Sequence, residues 1–375
     1  MATATRIKPP EEKRIKLHPR ETRLEDALIA PQYVEKLKTL GYVSVEQVLA
    51  VADMQLVRPR LGAYLGADVS QVLDKVPKRQ IAPQLSLRVR TATYKFGSRL
   101  KRAAKAVLPH SDLSAARHVP ASKLTAKPPA TPLGNAPDVF FGGPTGSMPP
   151  IRDQAYRGTC VAHAAVAVFE HYLIQNRGAS RGTVDLSEQF LYWKCKATDG
   201  DPQGEGTFLE VAVPLLFSDG CCAESTWPYN PNPIPGNEGQ DPPPPAAKGE
   251  AAGNKIPGFK QLTSTSVQEI KDELAAGRCV AVSLAVFDES WTTASIRSSG
   301  IVTMPIPGGE SNEGHAVCLV GYEDLDGEPQ LGGGRFILRN SWNSYWGVDC
   351  DFGTGYGTLP YAYVTTYCDE AYSMG

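Results

Sequence analysis

The chain contains no run of about 18 apolar residues, so no membrane-spanning helix is expected. Its first ten residues, Met1 to Pro10, lack the apolar core of a secretory signal. No Asn-x-Ser/Thr acceptor occurs, and none of the eight cysteines forms a Cys-x-x-Cys pair. A zinc knuckle is therefore not expected, and the adjacent Cys221 and Cys222 do not suit one. Cys279 and Cys318 lie inside apolar, strand-like runs, where a reduced thiol acts as a small hydrophobe. These features fit a reducing compartment, and a cytoplasmic location is the expectation. The glycine-rich stretch from Gly142 to Ser147 lacks the lysine of a phosphate loop, which argues against nucleotide binding.

What is present is unevenly distributed. Residues 1–130 hold 24 Lys and Arg against 11 Asp and Glu, a net charge of +13, whereas residues 131–375 carry −15. A basic part is thus joined to an acidic part. The organisation reads as a mobile basic tail over 1–22, a helical module over 23–80, a basic stretch and Pro-rich linker over 81–137, and a mixed α+β domain over 138–375. In the module, apolar Val34, Leu37 and Leu40 precede a stop at Gly41, and Ser44 with Gln47 forms a capping-box signature. Its short helices resemble a SAM-like or helix-hairpin-helix unit. The basic stretch 88–105 is read three ways: a solvated face, a segment docked on the acidic domain, or a segment that binds nucleic acid or an anionic surface. Beyond it, helices are expected from Cys160 to about Gln175 and near Ser187, Thr207 and Ser266. Strands are expected at 279–286, 315–321 and 335–339, and the Pro-rich excursion 228–257 reads as a surface loop.

Three separated pieces carry the chemistry. Gly158-Thr159-Cys160 opens an apolar helix, so the dipole at its N-terminus favours a thiolate at Cys160. His315 can take the thiol proton and later hand it to a leaving amine. Asn340 would orient that imidazole, and Trp342, two residues on, would keep water from their bond. Gln154 can aim its amide at a developing oxyanion, a donor whose loss typically costs about 100- to 1000-fold in turnover. His163 and His171 follow Cys160 on the same helix and are read as packing or surface-exposed residues.

These residues resemble those of the papain family of cysteine peptidases. The likeness runs through Gln154, Gly158 and Cys160, through His315-Ala316-Val317, and through Asn340-Ser341-Trp342 to Trp346-Gly347. It extends over roughly 138–370 and implies a two-lobed α+β fold, with Cys160 on a helical lobe and His315 and Asn340 on a β-barrel-like lobe. It also implies that Gly206 lines a peptide cleft and that Ala316, with parts of 281–285, shapes a side-chain pocket. Where the family has a disulfide-forming cysteine, this chain has Arg157, so Cys195 should be a free thiol. Val161 replaces the usual tryptophan. These departures look like an intracellular bacterial or viral-type branch, and 1–130 lacks the long helical prosegment pattern of lysosomal relatives.

The expectation is a cysteine endopeptidase acting on peptide or protein substrates without metal or organic cofactor. Residues 1–130 would regulate it, lying against the acidic domain and restraining the cleft, or would recruit a protein partner through the helical module. Nucleic acid is not expected as a partner. Isopeptide cleavage or acyl transfer at the same site, and a non-catalytic binding scaffold, are the alternatives.

Overall fold

The computed structural model describes residues 15, 17, 21–77, 95–101, 103–106, 137–143, 146–325 and 328–375. Nearly all of the basic tail and most of the Pro-rich linker lie outside the described residues. The helical module comprises α1 (Pro31–Thr39), α2 (Val45–Ala52), α3 (Arg58–Leu65) and α4 (Val69–Val72). Ser44 caps α2 reciprocally: its Oγ accepts the Gln47 amide and Gln47 Oε1 accepts the Ser44 amide. Two otherwise orphaned N–H groups are satisfied in this way.

The remainder is α+β. Helices α5 (Cys160–Arg177), α6 (Glu188–Lys196) and α7 (Leu209–Ser218) form one lobe, followed by α8 (Ala247–Ala252), α9 (Val267–Ala275), α10 (Asp288–Trp291), α11 (Ala294–Ser299) and α12 (Tyr361–Tyr367). The strands are β1 (Ala104–Lys105), β2 (Val139–Phe140), β3 (Phe259–Gln261), β4 (Val280–Ala285), β5 (Glu310–Ser311), β6 (Gly314–Asp324), β7 (Gly334–Arg339), β8 (Tyr356–Pro360) and β9 (Cys368–Met374). Seven of them build one antiparallel sheet in the order β3-β9-β4-β6-β7-β8, with β2 added on β6. The other two, β1 and β5, pair with each other.

Helix α5 is buried on every side from Cys160 to Tyr172, as befits a predominantly apolar helix. It lies between β4 and β6 on one side and α6 and α7 on the other. The first residue of an interior helix therefore faces the strand that carries His315. In the Pro-rich excursion the chain is not all loop: Ala247 and Ala251 bury themselves and α8 forms around them.

The helical module does not stand apart. Met304 N–H donates to Leu40 O at 2.8 Å, and Arg60 both donates to Ile306 O and pairs with Glu289. The buried apolar residues between Leu24 and Val76 belong to the same apolar cluster as the rest of the fold.

Candidate active site

Cys160, His315, Asn340, Gln154, Ala316 and Trp342 converge where α5 meets β6. The Ala316 N–H donates to Cys160 Sγ at 3.4 Å. His315 Nε2 lies 2.8 Å from Asn340 Oδ1; a carbonyl oxygen only accepts, so Nε2 carries the proton and Nδ1 is free to take one. That Nδ1 is buried with no hydrogen-bond partner among the described residues. Asn340 Oδ1 also accepts the Ser341 amide, which fixes the orientation of its side chain. The Trp342 ring stacks on the imidazole at 4.4 Å between centroids, with 17° between planes.

Gln154 is positioned from the same loop. Ser341 Oγ donates to Gln154 Oε1 at 2.6 Å, and the Gln154 backbone N–H donates to Ser341 O. The amide Nε2 is thereby turned toward the cleft, where it donates to Lys95 O and Arg157 O, each at 3.0 Å.

The cleft is occupied by the chain itself. Residues 95–101 cross it as an extended strap. Phe96 lies edge-on to both His315 and Trp342. Gly97 passes so close that a Cβ there would fall 2.0 Å from Gly158 O. Ser98 N–H donates to Gly314 O, Arg99 N–H to Thr207 O, and Thr207 N–H to Gly97 O. The Ser98 hydroxyl meets that of Ser283 on β4. Three cations of the strap reach anions on the helical lobe: Lys95 to Glu205, Arg99 to Asp201, and Lys101 to Glu210.

Burial dominates the electrostatics of the pair. Burial pushes the Cys160 thiol up to about 11, against the pull of the Ala316, Gly97, Val161 and Ser98 amides. Burial likewise lowers His315 to about 4, although the Asn340 bond works the other way. Beneath the strap, burial pushes both groups toward their neutral forms, because a charged form there is cut off from water.

Gly206, expected to line the cleft, lies under the strap, and a Cβ on it would meet Gly97 O at 2.5 Å. Its own backbone is engaged elsewhere: its N–H donates to the Tyr192 hydroxyl and its carbonyl accepts Lys196 Nζ. The pairing edge is Thr207, which sequence reasoning missed. It also missed Ser341, Phe96 and Gly97. The available signal was charge: a basic stretch at 95–101 and an acidic stretch at 199–210.

Arg157 is fully buried. It donates to Gln189 Oε1, Asn230 O and Glu238 O, with its guanidinium beside the Tyr192 and Tyr229 rings. Cys195 is a free thiol. His163 and His171 are both buried and bonded to neighbours, Thr159 O for the first and Ser147 and Gly277 for the second. Past Trp342 the cleft widens into a cavity of about 520 Å³ walled by Arg152, Asp153, Tyr156, His163 and Glu188 among others. The described residues contain no group of three or more His, Cys, Asp or Glu able to hold a metal ion, and no helix long and apolar enough to cross a membrane.

Residues 142–358 match the family described as papain family cysteine protease. An uncharacterized peptidase C1-like protein of Acanthamoeba polyphaga mimivirus is 28% identical over 220 residues, covering 56% of this chain and 64% of the relative. Cysteine proteinase 2 of Entamoeba histolytica is 29% identical over 213 residues, covering 56% and 61%. The chain thus spans less than two thirds of the length of these relatives. Among solved structures, xylellain, a cysteine protease from Xylella fastidiosa, superposes with a TM-score of 0.54 at 21% identity, covering 75% of this chain and 98% of that one. That likeness is one of fold.

Proposed function

The chain belongs to the papain family of cysteine proteases, and on that footing we propose that it is a hydrolase, an endopeptidase using Cys160 as nucleophile and closed by its own residues 95–101. The observation that carries this reading is the His315–Asn340 bond, which leaves His315 Nδ1 as the one ring nitrogen able to accept a proton beside Cys160.

Once the strap is displaced, water and substrate enter and the neutral pair can become a thiolate and an imidazolium. Sγ attacks the scissile carbonyl carbon, and the oxygen takes up negative charge within reach of Gln154 Nε2 and the Cys160 backbone N–H. Collapse of that intermediate breaks the C–N bond while the His315 imidazolium protonates the leaving amine. Water, deprotonated by His315, then attacks the thioester carbonyl and releases the acid and the free thiol. Asn340 and Trp342 hold the imidazole throughout. The wide cavity beyond Trp342 gives room to the peptide on the leaving side.

The closed arrangement supports the regulatory half of the proposal. The carbonyl of Lys95 engages the amide that the oxyanion would need. Backbone amides, rather than a carbonyl carbon, are what the strap presents to the sulfur. A Cys160→Ala chain should hydrolyse no peptide and take up no thiol-directed epoxide. Peptide hydrolysis by that variant at the unsubstituted rate would refute Cys160 as the nucleophile.

A further inference from the structure

Arg99 sits in a seat built to receive a guanidinium. Its Nη2 lies 2.9 Å from an Asp201 carboxylate oxygen and donates to Gly204 O at 3.0 Å; its Nε donates to Glu205 O at 3.2 Å. A second carboxylate, Asp199, stands 3.9 Å from Nη1 and is itself fully buried. Three acceptors and a more distant carboxylate thus surround one planar fork, a geometry that a lysine ammonium on its single nitrogen does not match.

The seat is held by its own turn and not by Arg99. Asp199 receives Lys196 Nζ at 2.7 Å and accepts the Asp201 amide, while Asp201 Oδ1 accepts the Gly204 amide. A Cβ at residue 204 would strike the Asp201 carboxylate at 2.0 Å, so glycine is what lets that carboxylate tuck in. Nothing in this bonding requires the strap to be present.

Its position relative to the chemistry is also set. Phe96 of the strap covers His315 and Trp342, the side on which a leaving amine would receive its proton. Gly97 crosses the sulfur, and Arg99 lies beyond it along the Thr207 edge. The seat therefore belongs to the acyl half of the cleft.

Resting on the proteolytic reading above, we propose that Asp199, Asp201 and the carbonyls of Gly204 and Glu205 form an arginine-selecting subsite for substrate, filled by Arg99 only while the strap is closed. The enzyme then prefers peptides with arginine within three residues before the cleaved bond.

The test uses the full chain with Gly97→Val to lift the strap and Arg99→Ala to vacate the seat. Matched peptides carry arginine or its neutral isostere citrulline at each of the three positions before the cleaved bond. At one position arginine should raise kcat/KM by about tenfold, equivalent to about 1.4 kcal/mol. Adding Asp201→Lys should cut that preference to under about twofold, and Asp201→Asn should leave it between the two values. Equal cleavage of arginine and citrulline peptides at all three positions would overturn the proposal and leave the seat as a latch for the strap alone. Failure to cleave any peptide, with no epoxide uptake at Cys160, would overturn the proteolytic reading as well.

Discussion

Arg157 stands where the family resemblance implies a disulfide-forming cysteine, and its surroundings supply other links at that position. Its guanidinium ties α6, through Gln189, to the excursion that carries Asn230 and Glu238. A charge-assisted network of donors thus spans what a covalent link would span elsewhere. His315 and Cys160 show the same dependence of a residue on its cover. The imidazole, lowered from 6.5 to about 4 by burial, remains neutral in the folded chain while its unfolded counterpart binds a proton below 6.5. The unfolded state therefore gains protons first on acidification, and the stability attached to neutral His315 is lost as pH falls from 6.5 toward 4. The full shift corresponds to about 3 kcal/mol. His315→Gln should accordingly lose less thermal stability than the unsubstituted chain between those pH values. Parallel melting curves of the two chains, measured by calorimetry, would refute the assigned shift. Opening the strap is a different matter: moving the proton from Sγ to the imidazole leaves the count unchanged, so opening itself carries little pH dependence near neutrality.

At the scale of elements, the strap depends on one glycine. A Cβ on Gly97 would strike the Gly158 carbonyl, and one on Gly206 would strike the Gly97 carbonyl. Gly97→Val should push the strap off the sulfur without touching the catalytic groups, because the clash is with backbone that belongs to the floor of the cleft. The full-length variant should take up a thiol-directed epoxide at Cys160 at least about tenfold faster than the unsubstituted chain, since a thiolate needs both access and water. An unchanged labelling rate would mean that the strap does not guard the cleft. The strap also marks the limit of what the sequence made legible. Helix α5 and strands β4, β6 and β7 announce themselves through continuous apolar runs, and the capping box at Ser44 through its spacing. The order of Gln154, Cys160, His315 and Asn340 supplies separate chemical needs that few arrangements meet. Residues 95–101 have no such periodicity. Their conformation is set by hydrogen bonds to Thr207 and Gly314, more than 100 residues away in sequence, and pairing partners at that distance leave no local pattern. Ser341 was hidden for a similar reason, because its contribution is a hydroxyl bond to Gln154 across the interface between lobes.

For the molecule as a whole, described residues of the basic part pair with the acidic part, Lys95 with Glu205, Arg99 with Asp201 and Lys101 with Glu210. The module of α1 to α4 shares its core with the sheet lobe, so removing 1–130 would strip apolar surface as well as the strap. The electrostatic contribution is better isolated by neutralising the three strap cations and leaving the fold intact. Lys95–Glu205 and Lys101–Glu210 each have both side chains between 39% and 45% exposed, and Asp201 is half exposed opposite Arg99. Exposed pairs of this kind contribute little singly and are screened by salt. Together on one short segment, they bias the same opening equilibrium and their effects combine. Raising ionic strength from about 0.05 M to about 0.5 M shortens the screening length to a few ångströms and should increase peptide hydrolysis by the full chain. A chain carrying Lys95→Gln, Arg99→Gln and Lys101→Gln should start at the higher rate and respond to salt far less. If both chains respond to salt equally, the three pairs do not hold the strap, and closure then rests on Gly97, Phe96 and the backbone pairing with Thr207 and Gly314.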